Sequence, residues 1–307
     1  MTSSKTGAAL LSVVSNSVLI VLKLAAGIIT GSIAILTEAV HSGIDLIASL
    51  IALFSVRKAD EPADEDHPYG HEKAENVAAG AEAMLILLGA AIICIEAIRR
   101  LVEGFEVERV GVGIAVIAIS VVANLVVSTF LYRRARAHDS PALEGDGAHL
   151  RADALTSVAV LVGLLLVEIT GNSAWDSIAA LTVAVAIVVT GVRLAMRSGR
   201  VLMDEAPPAH ELDRIEEAIA SARPPEMAGY HKLRARRAGS RRHVDLHVQF
   251  RSGTSLEDAH RLTHALRAAI EHEVPNADVL IHAEPEGSVH PEREERSPFR
   301  HGSWPGG

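Results

Sequence analysis

Two matching pairs of ionisable residues stand within the most apolar part of the chain. His41 and Asp45 are four residues apart, and His149 and Asp153 repeat that spacing. Residues four apart lie on one side of a helix, so each pair presents an imidazole and a carboxylate together. Two such helices facing each other would supply four nitrogen and oxygen ligands, which suits a tetrahedral metal site. A single pair could instead be a hydrogen bond that ties helices together; the repetition favours the metal site.

The ligand types narrow the choice of ion. The absence of a thiolate argues against copper(I), and the two imidazoles argue against magnesium and calcium, which prefer oxygen shells. Zinc fits best, while iron(II), cobalt(II), nickel(II) and cadmium(II) remain compatible. Metal binding requires neutral imidazole and ionised carboxylate, so protons compete with the metal for the same groups. This competition is a thermodynamic basis for metal/proton antiport, although it does not show that antiport occurs.

A second set of candidate ligands lies in residues 63–73. This stretch combines acidic residues with His67 and His71. Pro68 and Gly70 oppose a regular helix and favour a turn, which could gather both histidines and Asp64 around a cation. The alternative is a solvated acidic loop.

The elements that carry these residues are long apolar runs. Of the 307 residues, 49% are hydrophobic and 3% aromatic, and the mean hydropathy is +0.25. A helix crosses the hydrocarbon core of a bilayer with roughly 20 apolar residues. Six runs of this kind, none with a continuous polar face, predict membrane spans near residues 8–30, 33–56, 77–98, 110–131, 150–170 and 178–196.

The basic residues of the loops predict the orientation of the spans. Cytoplasmic loops are enriched in Lys and Arg. With the N-terminus inside, the cytoplasmic segments hold Arg57, Lys58, Lys73, Arg133, Arg134, Arg136, Arg197 and Arg200. Arg99, Arg100 and Arg109 run against this rule, but the balance places both termini in the cytoplasm.

The composition changes after Arg200. Residues 208–307 hold ten of the 15 histidines and no long apolar run. Helical periodicity near residues 210–222 and after Ser255, with alternating strands near 229–238, 243–250 and 278–282, predicts a small α+β domain. We therefore expect a six-helix transmembrane domain in residues 1–206, a small α+β domain in 207–286, and a disordered tail in 287–307; the resemblance described below implies that the α+β domain binds metal and dimerises.

Several classes of protein are excluded by composition. A formal charge of −9 gives no support for a nucleic-acid partner. The only cysteine, Cys94, excludes a disulfide scaffold, a Cys-rich zinc finger and an iron–sulfur cluster. The sequence shows no further motif for a hydrolase, such as a general base beside an open metal position, so we do not expect an enzyme.

Together these motifs resemble the cation diffusion facilitator family of divalent-metal transporters, especially its bacterial zinc/iron efflux type. The resemblance covers nearly the whole chain up to about Pro285. It rests on three runs, and on Trp175-Asp176 before the sixth span: His41-Ser-Gly-Ile-Asp45, Asp64 with His67-Pro-Tyr-Gly-His71-Glu-Lys73, and His149-Leu-Arg-Ala-Asp153. Any one HxxxD would be weak, but the combination is specific.

The resemblance implies a homodimer with six membrane helices and a cytoplasmic metallochaperone-like domain. It implies a transport site at His41, Asp45, His149 and Asp153, and a loop site at Asp64, His67 and His71. It further implies a cytoplasmic-domain site at His231, His247, His260, His282 and Glu284, and a charge pair, Lys73 with Asp204, that locks the dimer. Glu284 replaces a common Asp. His41 stands where some zinc/iron members have Asp, which makes the site softer and disfavours manganese.

The sequence thus predicts a proton-coupled exporter of Zn²⁺, with Fe²⁺, Cd²⁺, Co²⁺ or Ni²⁺ as alternative substrates. It would work by alternating access in the inner or plasma membrane, in contact with the lipid bilayer. Metal bound in the cytoplasmic domain would tighten the dimer. The alternatives are a membrane metal sensor without transport and, with less support, a histidine-rich membrane hydrolase.

Overall fold

The computed structural model describes residues 4–30, 33–103, 111–172, 174–287 and 300–303. The chain divides into two compact units, Met1–Leu202 and Met203–Gly307, called here the N-terminal and C-terminal units. The division falls close to the expected domain boundary after residue 206.

The N-terminal unit is a bundle of helices. Within the described residues, six helices are long and apolar enough to cross a bilayer, in agreement with the six predicted spans. They are α1 (Lys5–Thr30), α2 (Ile33–Ala59), α3 (Ala74–Glu103), α4 (Gly111–His138), α5 (Pro141–Thr170) and α6 (Ala174–Leu202).

The largest difference from prediction is the start of α5. The helix begins at Pro141, not near Leu150, so His149 and Asp153 lie well inside it. Ser140 accepts a hydrogen bond from the backbone N–H of Leu143, and Pro141 occupies the first turn, where its missing N–H has no cost. Hydropathy misses this turn because its residues are partly polar, but the capping residues start the helix there.

Outward and inward faces of the bundle differ in side-chain size. Large apolar side chains point outward, and Ile29 and Val102 are more than four-fifths exposed, as expected for contact with lipid. Small residues allow close helix approach. At Gly191 of α6, an added Cβ would lie 2.9 Å from the side chain of Leu87 in α3.

Polar contacts gather several helix ends at one end of the bundle. The Lys5 ammonium lies 2.8 Å from a Glu75 oxygen and 2.9 Å from an Asp60 oxygen. Ser140 also hydrogen-bonds Glu75. These contacts join the beginnings of α1, α3 and α5 to the end of α2, and therefore place the loop that follows α2 at this end.

Within its described residues, 203–287 and 300–303, the C-terminal unit combines two helices with a four-stranded sheet. Its elements are α7 (Ala209–Ser221), β1 (Met227–Ala238), β2 (Arg241–Phe250), α8 (Leu256–Glu273), β3 (Ala277–Pro285) and β4 (Arg300–Ser303). The strand order in the sheet is β3-β2-β1-β4. The β1–β2 pair is antiparallel, and β2 pairs in parallel with β3 because α8 carries the chain back between them.

One face of this sheet forms a core with α7 and α8. The alternating residues of β2, from Val244 to Phe250, are buried in it together with Ile219 of α7 and Leu266 of α8. Ser255 caps α8 as predicted, its side chain accepting from the N–H of Asp258. The α+β prediction for this region is therefore confirmed.

The prediction of a disordered tail from residue 287 is wrong for residues 300–303. These residues form β4, which pairs antiparallel with β1. Arg300 lies 2.7 Å from an Asp213 carboxylate oxygen and also pairs with Glu216, both in α7. A composition rich in charge and proline hides the segment because its order comes from pairing with a distant strand. The rest of the predicted tail, 288–299 and 304–307, lies outside the described residues.

Candidate metal centres

Helices α2 and α5 bring the two predicted His–Asp pairs together. His149 Nε2 lies 3.3 Å from Asp45 Oδ1 and 3.8 Å from Asp153 Oδ2. His41 Nε2 lies 3.8 Å from Asp153 Oδ1. One ligand atom each from His41, Asp45 and Asp153 lies within 4.8 Å of the other two. We call these four residues the α2–α5 cluster.

The α2–α5 cluster is buried on one side and open on the other. Asp45 and His149 are buried, whereas the His41 side chain is 52% exposed. Carboxylates held this close repel one another in a low-dielectric bundle, and a shared cation removes that repulsion. The arrangement can therefore bind a dication that enters from the side of His41; the role of the four residues as ligands stays a prediction.

A buried polar network lies behind Asp45 and was not predicted from the sequence. The Asn16 amide donates to the backbone carbonyl oxygen of Asp45 at 3.3 Å and to Ser49 Oγ at 2.6 Å. Ser49 lies 3.1 Å from Asp146 Oδ1, to which its hydroxyl can donate. This network fixes the backbone that carries Asp45. Its signal in the sequence is Asn16, a polar residue in the mostly apolar α1; Asp146 lies in the partly polar beginning of α5.

Two charged residues within the apolar helices, Lys23 and Glu82, are buried inside the bundle. Lys23 is buried and donates to Ser42 Oγ at 2.7 Å, next to His41 in the chain. Glu82 is fully buried, and its Oε2 lies 3.8 Å from His149 Nδ1. Glu96 does reach a helix end, where it pairs with Arg100 at 2.9 Å. The side chains of Glu38 and Glu168 lie outside the described part.

The loop after α2 folds into the predicted turn and gathers its three candidate ligands, the loop cluster. His67 Nδ1 lies 3.2 Å and His71 Nε2 lies 3.1 Å from Asp64 oxygens, on a turn whose Gly70 has a φ of 90°. The backbone N–H of His67, which donates to Asp64 at 2.7 Å, is the main cause that lowers the pKa of that carboxyl. Asp64 therefore stays ionised and available to a cation, since carboxylate is the ligating form.

The register of the C-terminal sheet assembles a third cluster, the sheet cluster of His231, His247 and Glu284. His231 in β1 pairs with His247 in β2, and His247 pairs with His282 in β3, so three histidines form a row across the sheet. Glu284 bonds His231 and lies 3.5 Å from His247 Nδ1. Ligand atoms of the three cluster members lie within 4.8 Å of one another.

Burial and nearby charges shift the pKa values of two members of the sheet cluster, His247 and Glu284. Burial, with a contribution from the Lys232 charge, lowers the pKa of His247. Burial alone would raise the pKa of Glu284, but the hydrogen bond and charge of His231 lower it overall. Neutral imidazole and ionised carboxylate are the states that bind metal.

The two remaining predicted ligands of the C-terminal unit, His282 and His260, differ in their position relative to the sheet cluster. The His282 ring lies 4.6 Å from the His247 ring, at the edge of the sheet cluster. His260 lies on the exposed side of α8, with its ring 4.5 Å from that of His264, and does not join the cluster within this chain. The sequence places His260 one helical turn from His264, but it cannot show which helix face meets the sheet.

The expected Lys73–Asp204 pair would connect the two units and stays a prediction. Within the C-terminal unit, the Asp204 carboxylate accepts a hydrogen bond from Arg236 at 3.1 Å. Asp204 has a φ of 59°, at the point where the chain leaves α6.

Family models match almost the whole described chain. The model for a cation efflux transmembrane domain matches residues 9–203, and the model for the cytoplasmic domain of cation efflux proteins matches residues 207–286. The chain belongs to the cation diffusion facilitator family. It is therefore a multi-pass membrane protein and a cation-efflux transporter, not an enzyme.

Similar proteins agree with the family. Proteins named cation-efflux pump FieF from Yersinia pestis strain Pestoides F and Yersinia pseudotuberculosis serotype O:3 are each 34% identical over 286 residues, which cover 93% of this chain and 94% of theirs. Two solved structures of a candidate zinc transporter, CzrB, are 34% and 35% identical and match 26% and 28% of this chain and 99% and 98% of their own, with TM-scores of 0.26 and 0.25. The second of these is titled as the zinc form.

Proposed function

We propose that this member of the family exports divalent cations, with Zn²⁺ as the main substrate, in exchange for protons. The observation that carries the proposal is the α2–α5 cluster: two imidazoles and two carboxylates converge in a bundle of membrane helices. An ionisable group at membrane depth costs a few kcal/mol, so four such groups together call for a function.

The ligand types support zinc and the coupling to protons. Two nitrogen and two oxygen donors suit the tetrahedral preference of Zn²⁺. With both carboxylates ionised and both imidazoles neutral, the cluster carries two negative charges, which one dication neutralises. Protons that enter from the opposite side of the membrane neutralise the same carboxylates and release the metal.

Alternating access in a homodimer completes the transport cycle. The cation would bind the α2–α5 cluster from the cytoplasm, and rocking of the helix bundle would expose the cluster to the outside. The matched model for the C-terminal unit describes a cytoplasmic domain and is named for dimerisation, which supports a homodimer and an inner or plasma membrane protein with both termini in the cytoplasm. The Lys73–Asp204 pair would then lock the dimer.

The loop and sheet clusters would hold further cations. Each gathers at least two imidazoles and one carboxylate outside the membrane spans. Filling of the sheet cluster, with His260 and His282 as additional ligands, would tighten the dimer when cytoplasmic metal is high. Isothermal titration of residues 206–307 with zinc tests this step, and the absence of metal binding would refute a regulatory site in the sheet cluster.

Flux in proteoliposomes with a proton gradient tests the function. We expect the wild type to move Zn²⁺ and to move less when the gradient is dissipated, and we expect Asp45→Ala to stop this movement. Glu96→Ala is the control, because Glu96 pairs with Arg100 and is absent from the cluster. Competition by iron(II), cadmium, cobalt, nickel and manganese ranks the substrates. Zinc binding without flux would instead favour a membrane metal sensor.

A further inference from the structure

Glu82 is a buried carboxyl group that does not belong to the four residues of the α2–α5 cluster. It lies in α3, is fully buried, and neither of its carboxylate oxygens has a hydrogen-bond partner among the described residues. Its side chain packs against α5: a Cβ added at Gly145 would lie 3.1 Å from Glu82 Cβ and Cγ. A polar group buried without a partner costs free energy, so a partner in at least one functional state is expected.

The second ring nitrogen of His149 is a candidate hydrogen-bond partner for Glu82. His149 turns Nε2 toward Asp45 and Asp153, at 3.3 and 3.8 Å, and Nδ1 toward Glu82, with 3.8 Å between Nδ1 and Oε2. Within the described part of the chain, Nδ1 has no hydrogen-bond partner either. Two unsatisfied buried groups of complementary type therefore face each other across the α3–α5 contact.

The direction of each nitrogen determines the protonation state that zinc binding requires. A cation shared with Asp45 and Asp153 meets Nε2, because that nitrogen faces their carboxylates. A neutral imidazole that binds through Nε2 carries its hydrogen on Nδ1. That N–H points at Glu82, and a movement of about 1 Å would shorten the 3.8 Å separation to hydrogen-bond length.

We infer that Glu82 is a positioning residue: it accepts a hydrogen bond from His149 Nδ1–H and thereby holds Nε2 toward the cation. Such a carboxylate fixes the tautomer and ring orientation of a metal-binding histidine and raises its basicity. The inference rests on the proposed function in one respect, that the cation binds in the α2–α5 cluster.

Glu82 could alternatively be a direct ligand of the ion. The geometry favours positioning, because Glu82 faces the nitrogen of His149 that points away from Asp45 and Asp153. The two roles predict different effects of an uncharged hydrogen-bond acceptor at position 82. Such a side chain can replace a positioning carboxylate, but it cannot replace a charged ligand of the ion.

Zinc affinity of the full-length protein tests the inference independently of transport. The parent is the His71→Ala/His247→Ala double variant, which removes ligands of the loop and sheet clusters so that titration reports the α2–α5 cluster. We expect Glu82→Leu to raise the zinc Kd by about 10–100-fold, the usual effect of losing a residue that orients a metal ligand. Glu82→Gln should restore most of the affinity, since its amide oxygen still accepts from Nδ1–H.

Glu75→Gln is the matched control. Glu75 is also buried in α3, but it pairs with Lys5 and Ser140 and does not contact His149. Its substitution should change thermal stability and leave the zinc Kd unchanged. An equal zinc Kd in Glu82→Leu and the parent overturns the inference, and so does a loss in Glu82→Gln as large as in Glu82→Leu, because charge would then matter instead of hydrogen bonding.

The tautomer of His149 supplies a second measurement. In ¹⁵N-histidine spectra of the zinc-loaded parent, we expect His149, assigned through His149→Gln, to show metal-bound Nε2 and a hydrogen-bonded Nδ1–H that weakens in Glu82→Leu. Metal bound at Nδ1 overturns the inference. If zinc binds as expected but wild-type vesicles show no flux, the proposed transport fails while the role of Glu82 stands.

Discussion

The α2–α5 cluster and the sheet cluster use the same types of residue but are assembled by different geometry. In the N-terminal unit, each helix contributes a His–Asp pair four residues apart, and the pairs meet across a helix contact. In the C-terminal unit, neighbouring strands contribute His231, His247 and Glu284, which meet because of strand register.

The two clusters also differ in charge. The α2–α5 cluster has two carboxylates for two imidazoles, with Glu82 and Asp146 buried close behind, whereas the sheet cluster has one carboxylate for two imidazoles. A dication neutralises the first and leaves the second with a net positive charge. The charge balance of the α2–α5 cluster therefore depends more strongly on a bound cation or on protons, because it lies in a low-dielectric setting, and this suits transport. The sheet cluster suits reversible binding near water.

The largest expected effect is on the rate of zinc transport, and it distinguishes the role of the α2–α5 cluster from that of the sheet cluster. In proteoliposomes at saturating zinc, Asp153→Asn should lower flux more than roughly 100-fold, because even residues behind a metal ligand commonly cost 10–100-fold. Glu284→Gln should leave the saturated rate close to wild type, since it alters only the sheet cluster. Similar losses in both variants would refute the division of roles.

An intermediate effect is expected for the stability of the C-terminal unit, which has its own apolar core. Zinc at 100 times its Kd should raise the unfolding free energy of residues 203–307 by about 2.7 kcal/mol, as mass action requires. Most of this gain should vanish in His247→Ala and persist in His264→Ala, whose histidine lies on exposed α8. Thermal unfolding with and without zinc measures the difference; equal gains in the two variants would contradict a zinc site at the sheet cluster.

The smallest effect is expected from a histidine of the same sheet that belongs to no cluster. Burial, with a contribution from the Arg236 charge, lowers the pKa of His243, which lies 3.4 Å from Asp278. Between this lowered pKa and the unfolded value of about 6.5, the unfolded chain binds more protons, so stability falls as the pH falls through that window.

His243→Gln should flatten that dependence. Unfolding of residues 203–307 in a metal chelator, between about pH 5 and pH 8, measures the slope around the ordinary histidine range. Asp278→Asn should steepen the slope, because Asp278 raises the pKa of His243 against the effect of burial. A wild type whose stability is independent of pH across this range would contradict the prediction.

Local patterns in the sequence were sufficient for much of the fold and for part of each cluster. Six apolar runs predicted the six helices, and the alternation from Val244 to Phe250 predicted a half-buried strand. The spacing of His41 with Asp45 predicted that both point to one side of a helix. These features depend on the 3.6-residue period of helices and the two-residue period of strands. Both periods can be recognised within a short segment of the sequence.

Contacts between segments far apart in the chain were decided by the tertiary structure alone. Nothing local shows that Glu82 is buried against α5 and not directed to a helix end, because that depends on which face of α3 meets α5. Likewise, strand pairing sets His231 beside His247 and adds β4 to the sheet edge. The sequence by itself determined which residues could bind a cation; packing and register determined which of them meet, since both arise from surfaces that only the folded chain brings together.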